Sequence, residues 1–216
     1  LNYVDPVPPL PPGILVPVSG DANFGSEKLL AYELGYRVTL HPRFNVNWTA
    51  FYNEYDDLRA IVYSPSAIEF RASPAPHLAV PLTLDNGLFG ETYGTELFAT
   101  WQPSDALRLR ASYTLLEMQM HTRGPTRSVS EDVEEKTSPH HQISLWTEVD
   151  LGTRVEWGTG LRYVDHLPHW GIPAYFELES RVAWKLARNC ELALVGRNLL
   201  HDHHREFAPL ILGVRN

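Results

Sequence analysis

The feature that most constrains this chain is an alternation of apolar and polar side chains with a period of two residues. In "YELGYRVTL" (32–40), Tyr, Leu and Val alternate with Glu, Gly, Arg and Thr. In "LRLRASYTL" (107–115), Leu, Ala and Tyr alternate with Arg, Ser and Thr. This is the period of a β-strand with two different faces, and no segment has a convincing helical period. The same period recurs in six more segments, at about 44–53, 89–101, 142–151, 154–163, 176–186 and 191–197.

The connections between these eight segments alternate between short and long. "HPR", "QPSD", the turn at Gly152 and "ARN" are short, whereas about 60–87, 121–140, 165–173 and the end of the chain from 201 are long. In an up-and-down antiparallel meander, alternate connections lie at opposite ends of the strands. The sequence therefore predicts that every tight turn lies at one end of the sheet and every long loop at the other.

Two all-β architectures compete for this pattern. A soluble β-sandwich buries the apolar face and exposes the polar face to water. A transmembrane β-barrel turns the apolar face to lipid and the polar face to a wet lumen, with short turns at one end and long loops at the other. The polar face carries many charges, including Arg108, Arg110, Glu148, Glu156 and Arg181. This charge and the loop rhythm favour the barrel, as do aromatic residues near strand ends, namely Tyr32, Trp101, Tyr163, Phe176 and Trp184.

Composition narrows the function classes further. The net charge is −8 and no basic patch stands out, so we do not expect nucleic-acid binding. The single cysteine, Cys190, permits no disulfide within the chain. No stretch of 18 apolar residues predicts a membrane-spanning helix. We find no nucleophile–base motif, phosphate loop or Cys/His metal spacing, so we expect neither an enzyme nor a bound cofactor.

Four stretches, in this order, resemble the TonB-dependent outer-membrane receptors of Gram-negative bacteria. They are "SEKLLAYELGYRV" (26–38), "FNVNWTAFYNEYDDLR" (44–59), "GETYGTELFATWQPSDALRLRASYTLL" (90–116) and "VGRNLLHDHHREF" (195–207). The resemblance implies a 22-stranded outer-membrane barrel whose lumen holds a plug domain. It also implies active uptake of a scarce ligand, most often a ferric siderophore, with energy supplied by the TonB complex through the plug. The expected partners are thus outer-membrane lipid, the TonB complex and a small ligand.

The resemblance also sets the expected extent of the domain. Residues 1–216 carry about eight of the barrel strands, and the stretch resembles the part of the barrel just before its last strand. We therefore expect a partial C-terminal barrel domain without the plug and without the final strand. A passive porin-type or adhesin barrel would have the same strands, and a soluble carbohydrate-binding sandwich remains the other alternative.

Candidate ligand-binding residues lie in the long loops. His166, His169 and Trp170 lie in "DHLPHWG", and His203 and Arg205 lie in the last loop. Histidine and aromatic side chains at an external mouth can contact an incoming small molecule. We do not expect "HDHH" (201–204) to bind a metal, because adjacent histidines seldom converge on one ion. The charge run "EDVEEK" (131–136) is interpreted as a solvated surface, and the lumen arginines as partners of lumen carboxylates or of the plug.

Overall fold

The computed structural model describes residues 13–73, 75–128 and 130–201, and most of these residues form β-strands. The strands, labelled β1 to β13 in chain order, are Ile14–Leu15, Val18–Gly20, Lys28–His41, Phe44–Tyr63, Glu69–Arg71, His77–Ala79, Leu82–Ser104, Leu107–Thr122, Arg127–Ser128, His141–Leu151, Val155–Val164, Tyr175–Ala187 and Cys190–Gly196. One α-helix, α1, spans Glu131–Lys136, and 3₁₀ turns span Pro65–Ala67 and Pro168–Trp170. No helix of the described residues is long and apolar enough to cross a membrane.

Eight long strands form one antiparallel meander, as the sequence predicts. Their order across the sheet is β3-β4-β7-β8-β10-β11-β12-β13, which is also their order along the chain. The short strands β2 and β9 pair with β7 and β4 at the long-loop end, so the sheet has ten strands. Within the described residues β3 and β13 are its two edges, so the barrel is not closed in this chain. The remaining short strands form a separate small sheet in the order β1-β6-β5.

The apolar face of the long strands is not covered by a second layer. Leu34 is 63% exposed, Trp101 50% and Leu194 77%, although each lies in a paired strand. Large apolar side chains are normally buried when a sheet packs on another sheet. The soluble sandwich alternative is therefore wrong for this fold, and we call the apolar face the outer face and the charged face the inner face.

Aromatic side chains mark both ends of the outer face. Tyr32, Tyr52 and Tyr93 lie next to each other across β3, β4 and β7, and the rings of Tyr32 and Tyr52 are 6.3 Å apart. Near the opposite ends of β4 and β7, Phe44 pairs with Trp101, with ring centroids 6.5 Å apart. At about 3.3 Å per residue the two aromatic levels are about 26 Å apart along the strands. On β11 and β12, Tyr163 pairs with Phe176 near the long-loop end and Trp184 lies near the short-turn end.

The strands near the long loops extend farther than the sequence pattern predicts. β4 continues to Tyr63 and β7 begins at Leu82, so much of the predicted loop 60–87 is strand. These extensions enclose a small core of Ala60, Val62 and Leu88, each no more than 3% exposed. The alternation continues there but the inner face becomes apolar, so a pattern that expects charge inside misses it. We call this part of the sheet the collar.

The structure also corrects the interpretation of the charge run "EDVEEK" as a solvated surface. It forms α1, and the carboxylates of Glu131 and Glu135 bond to β8 instead of facing only water. A helix of six residues is too short to be stable without contacts to the rest of the protein. Helical periodicity cannot be recognised in so few residues, so the sequence pattern gave no signal for it.

Candidate functional site

The inner face of the sheet is held together by ion pairs that join neighbouring strands. The guanidinium group of Arg108 on β8 lies 3.0 Å from Glu148 and 3.2 Å from Asp150, both on β10. Arg110 pairs with the same Glu148, which also accepts a hydrogen bond of 3.0 Å from Nε1 of Trp146. Because Arg108 and Glu148 are also a register pair, charge and backbone pairing stabilise the same strand alignment.

Two further inner-face arginines bridge the strands that follow. Arg162 on β11 lies 3.0 Å from Glu177 on β12. Arg181 on β12 lies 2.7 Å from Glu191 on β13 and 3.4 Å from Glu156 on β11. The prediction that lumen arginines pair with lumen carboxylates is confirmed for these residues. Arg154, which the pattern placed in a strand, lies instead in the turn before β11.

Glycines on the inner face make room for aromatic side chains of the neighbouring strand. Phe51 on β4 pairs with Gly94 on β7, where an added Cβ would lie 2.7 Å from the Phe51 ring. Trp146 on β10 pairs with Gly160 on β11, and its ring fills the position that a side chain at Gly160 would need. The break in polar alternation at Phe51 therefore has a packing reason: this ring covers a neighbouring strand that has no side chain there.

On the long-loop side of the aromatic level formed by Tyr32, Tyr52 and Tyr93, a β-bulge at the "YDDL" motif joins four strands. Asp57 has a φ of 55°, a left-handed conformation that Asp tolerates better than most residues. Its carboxylate lies 2.6 Å from Nζ of Lys28 and 3.0 Å from Arg123, and its carbonyl accepts a 2.6 Å hydrogen bond from Asn86. Arg123 also lies over the ring of Phe89, 5.5 Å from its centre. The motif therefore ties β3, β4, β7 and the end of β8 together where they leave the aromatic level.

The loop between β11 and β12 has a small core of its own. Val164, Leu167, Ile172 and Tyr175 are buried, and Trp170 packs against them. Leu167 and Ile172 exchange backbone hydrogen bonds of 2.9 and 3.2 Å, and Gly171 closes the turn with a φ of 61°. The predicted ligand-binding aromatic residue Trp170 is thus half-buried and supports its loop.

The two candidate histidines of this loop are exposed but do different things. His169 stacks edge-on against Trp170, with ring centroids 4.5 Å apart. Nδ1 of His166 lies 2.8 Å from Asp165, and this hydrogen bond holds the pKa of Asp165 below its usual value. If Nδ1 carries the proton that Asp165 accepts, Nε2 is the ring nitrogen of His166 that can accept a hydrogen bond from a ligand.

The structure therefore brings His169 and Trp170 together and directs His166 toward Asp165. His203 and Arg205 lie outside the described residues. Within the described ranges, no group of three or more His, Cys, Asp or Glu side chains could hold a metal ion. Sequence reasoning missed the roles of Asn86 and Arg123 at the bulge and of Glu131 and Glu135 on β8. The two adjacent aspartates of the "YDDL" motif were the local sequence signal for the bulge. Asn86 and Arg123 lie far from them along the chain, so no local pattern could connect them.

Comparison with known proteins shows which family has this architecture. The profile of the family described as "TonB dependent receptor-like, beta-barrel" matches residues 2–199. Members of this family are receptors and transporters rather than enzymes. A search among curated proteins found no match.

Solved receptors have the same fold at low sequence identity. A mutant of the ferric enterobactin receptor PfeA of Pseudomonas aeruginosa is 14% identical, with a TM-score of 0.62 over 82% of this chain and 26% of that chain. The ferric-catecholate import receptor Fiu of K12 E. coli is 15% identical, with a TM-score of 0.58 over 83% and 24%. The ferric yersiniabactin uptake receptor FyuA of Yersinia pestis is 15% identical, with a TM-score of 0.59 over 82% and 25%.

This chain spans about a quarter of the length of each of these solved receptors. Within the described residues the sheet is open, which is consistent with that share. The family match extends over all of the described strands, which leads to one assignment. The chain belongs to the TonB-dependent receptor family and forms part of the β-barrel domain.

Proposed function

We propose that this chain is part of the wall of an outer-membrane receptor that takes up a scarce ligand with energy from the TonB complex. The observation that carries the proposal is the two-faced wall: an apolar outer face between two aromatic levels and an inner face joined by ion pairs. In lipid every backbone polar group needs a partner, and antiparallel pairing supplies it for the strands between β3 and β13, while these two edges need the rest of the barrel. Unpaired charges at the bilayer centre are costly, and the arginine–carboxylate pairs between the two aromatic levels lie on the inner face.

The most suitable ligand class is a ferric siderophore or a similar iron complex. Three of the solved structures with this fold are named as receptors for ferric enterobactin, ferric catecholates or ferric yersiniabactin. Another is named as a copper transporter, so the proteins with this fold are not all named for iron. External loops set ligand choice while the barrel stays the same, so the fold alone selects only this broad class.

Within this function, His166, His169 and Trp170 contribute to ligand contact at the external mouth. The exposed ring of His169 is held by Trp170, so little conformational freedom is lost when it meets a ligand. His203 and Arg205 are proposed to contribute from the last loop. His41, the last residue of β3 next to the short turn at the other end of the sheet, is exposed and provides a matched control for His169.

Transport by the full-length receptor tests the function. The receptor is expressed in an E. coli strain lacking its own siderophore receptors, and accumulation of radiolabelled ferric siderophores of catecholate and hydroxamate type is measured. We expect accumulation of at least one of them that is lost in the same strain without TonB and after a protonophore is added. Equal accumulation with and without TonB would favour the passive porin-type barrel instead. Absence of uptake of every iron complex would overturn the ligand class.

Binding to purified receptor tests the loop residues. We expect His169→Ala to weaken binding of the transported complex about fivefold or more, as a contact residue does. His41→Ala should leave binding unchanged. Equal affinity of the two variants would remove His169 from the site without touching the transport proposal.

A further inference from the structure

Among the described residues, the long-loop end of β8 pairs with a strand on one side only. β10 begins at His141, which pairs with Leu115, and the last bond beyond this point joins the N–H of Leu116 to the carbonyl of His140 at 3.0 Å. The next residue outward, Pro139, has no N–H to donate and cannot continue a ladder. β8 nevertheless runs on to Thr122 and stays paired with β7 throughout. The backbone groups of β8 that follow the Leu116 N–H and face away from β7 thus form a strand edge, within residues 116–122, that no neighbouring strand covers.

The helix α1 covers this edge through side chains. Oε1 of Glu135 accepts a 2.7 Å hydrogen bond from the backbone N–H of Met120, where a neighbouring strand would present a carbonyl. Oε2 of Glu131 accepts a 2.6 Å hydrogen bond from the hydroxyl of Thr122. Met120 is 5% exposed, so its N–H would lose its partner in a poorly solvated place if Glu135 moved away. An uncovered edge also invites pairing with another chain.

The two ends of this connection are held in different ways. At its start, β9 pairs Ser128 and Arg127 with Val62 and Tyr63 of β4, and Ser130 receives a 3.3 Å hydrogen bond from the N–H of Ile61. This end closes over the collar core. At the other end α1 has six residues, and the Ser130 side chain makes no capping bond to it. So short a helix depends on its external contacts, and these include the two carboxylate hydrogen bonds to β8.

The helix α1 also contacts the Pro168–Trp170 turn of the next long loop. That turn carries His169 and rests on its own small core through Trp170. A displacement of the turn therefore removes part of the support of α1, whereas β9 is held by its pairing with β4.

We propose that α1 is a releasable cap on the 116–122 edge of β8, anchored on the collar by β9 and coupled to the Pro168–Trp170 turn. When α1 leaves, the edge opens while β9 stays paired with β4. The role of this opening in ligand capture rests on the proposed function, but the cap itself does not. The test therefore uses the full-length receptor without any ligand, so that its result is independent of transport.

Hydrogen–deuterium exchange of the purified receptor in detergent tests the cap. We expect Glu135→Ala to speed exchange in the peptide covering residues 116–122 on the order of tenfold, because the Met120 N–H loses its acceptor. Glu135→Gln retains an acceptor oxygen and should stay near the wild-type rate. Peptides covering β9 and the end of β4 should exchange as in the wild type in both variants.

Two results would overturn the cap. Unchanged exchange at residues 116–122 in Glu135→Ala would mean that α1 does not protect the edge. A similar rise at β9 and β4 would mean that the whole connection loosens as one unit. Trp170→Ala tests the coupling, and we expect a smaller rise at residues 116–122 with the β13 peptide unchanged. If Trp170→Ala raises exchange only in its own loop, the coupling is absent.

Discussion

The wall between the aromatic levels and the collar above it are parts of the same strands, yet different forces stabilise them. In the wall, apolar side chains such as Leu97 and Leu145 remain 39% and 46% exposed, and the inner charges are paired across strands. In the collar, the inner face is apolar and buries Leu88 almost completely. The outer face of the wall therefore needs an apolar surrounding such as lipid to be stable. The collar, in contrast, is stabilised by a buried core of its own.

Leu88→Ala should produce the largest loss of stability, and we expect this loss to be confined to the collar. Removal of a fully buried leucine costs about 2–5 kcal/mol in a well-packed core. We expect rapid proteolysis of the external loops in the full-length receptor while the barrel keeps its heat-modifiable migration on gels. The matched variant Leu97→Ala changes the same residue type in the wall and should leave loop proteolysis unchanged. Equal protease resistance of the two variants would contradict the separate collar core.

Leu97→Arg tests the wall. Leu97 lies midway between Tyr93 and Trp101 on the outer face of β7, at the level of the bilayer centre. An arginine there costs about 2–4 kcal/mol in a membrane barrel. Ser112→Arg places the same charge on the inner face of β8 and should cost far less. Urea unfolding of the full-length receptor in lipid vesicles measures both, and equal losses would mean that the outer face does not contact lipid.

The difference between the wall and the collar also explains which parts of the fold could be predicted from the sequence. Alternation identified all eight long strands and both faces, because lipid and a wet lumen impose opposite polarity on neighbouring residues. It failed above Tyr52 and Tyr93, where both faces meet protein or water and the inner residues Leu88 and Met120 become apolar. The α1 edge cap was also missed, since Glu135 bonds a backbone group that no residue pattern specifies. Of the candidate site, the loop position of His169 could be predicted, but not its support by Trp170.

Asp57→Ala tests the bulge that joins wall and collar. The variant loses the contacts to Lys28 and Arg123 and places a residue with a Cβ, but without a local hydrogen-bonding side chain, at positive φ. We expect hydrogen exchange at the start of β3 and the end of β8 to rise, with the wall strands β11–β13 unchanged. Asn also tolerates this φ, so the exchange rate in Asp57→Asn should lie between those of the wild type and Asp57→Ala. Identical exchange in Asp57→Ala and wild type would mean that the motif does not join these strands.

Arg162→Ala should have the smallest effect and tests how much the inner ion pairs stabilise the wall. Arg162 and Glu177 are 47% and 24% exposed, and water screens their attraction, so the pair should contribute about 1 kcal/mol or less. The double variant Arg162→Ala/Glu177→Ala separates the pair from the burial of its members, because a double-mutant cycle isolates the interaction. We expect a coupling that shrinks further at high salt, measured by urea unfolding in vesicles. A coupling of several kcal/mol that resists salt would instead mean that the inner face is dry, and the wall would then resemble the collar more closely than its charge pattern indicates.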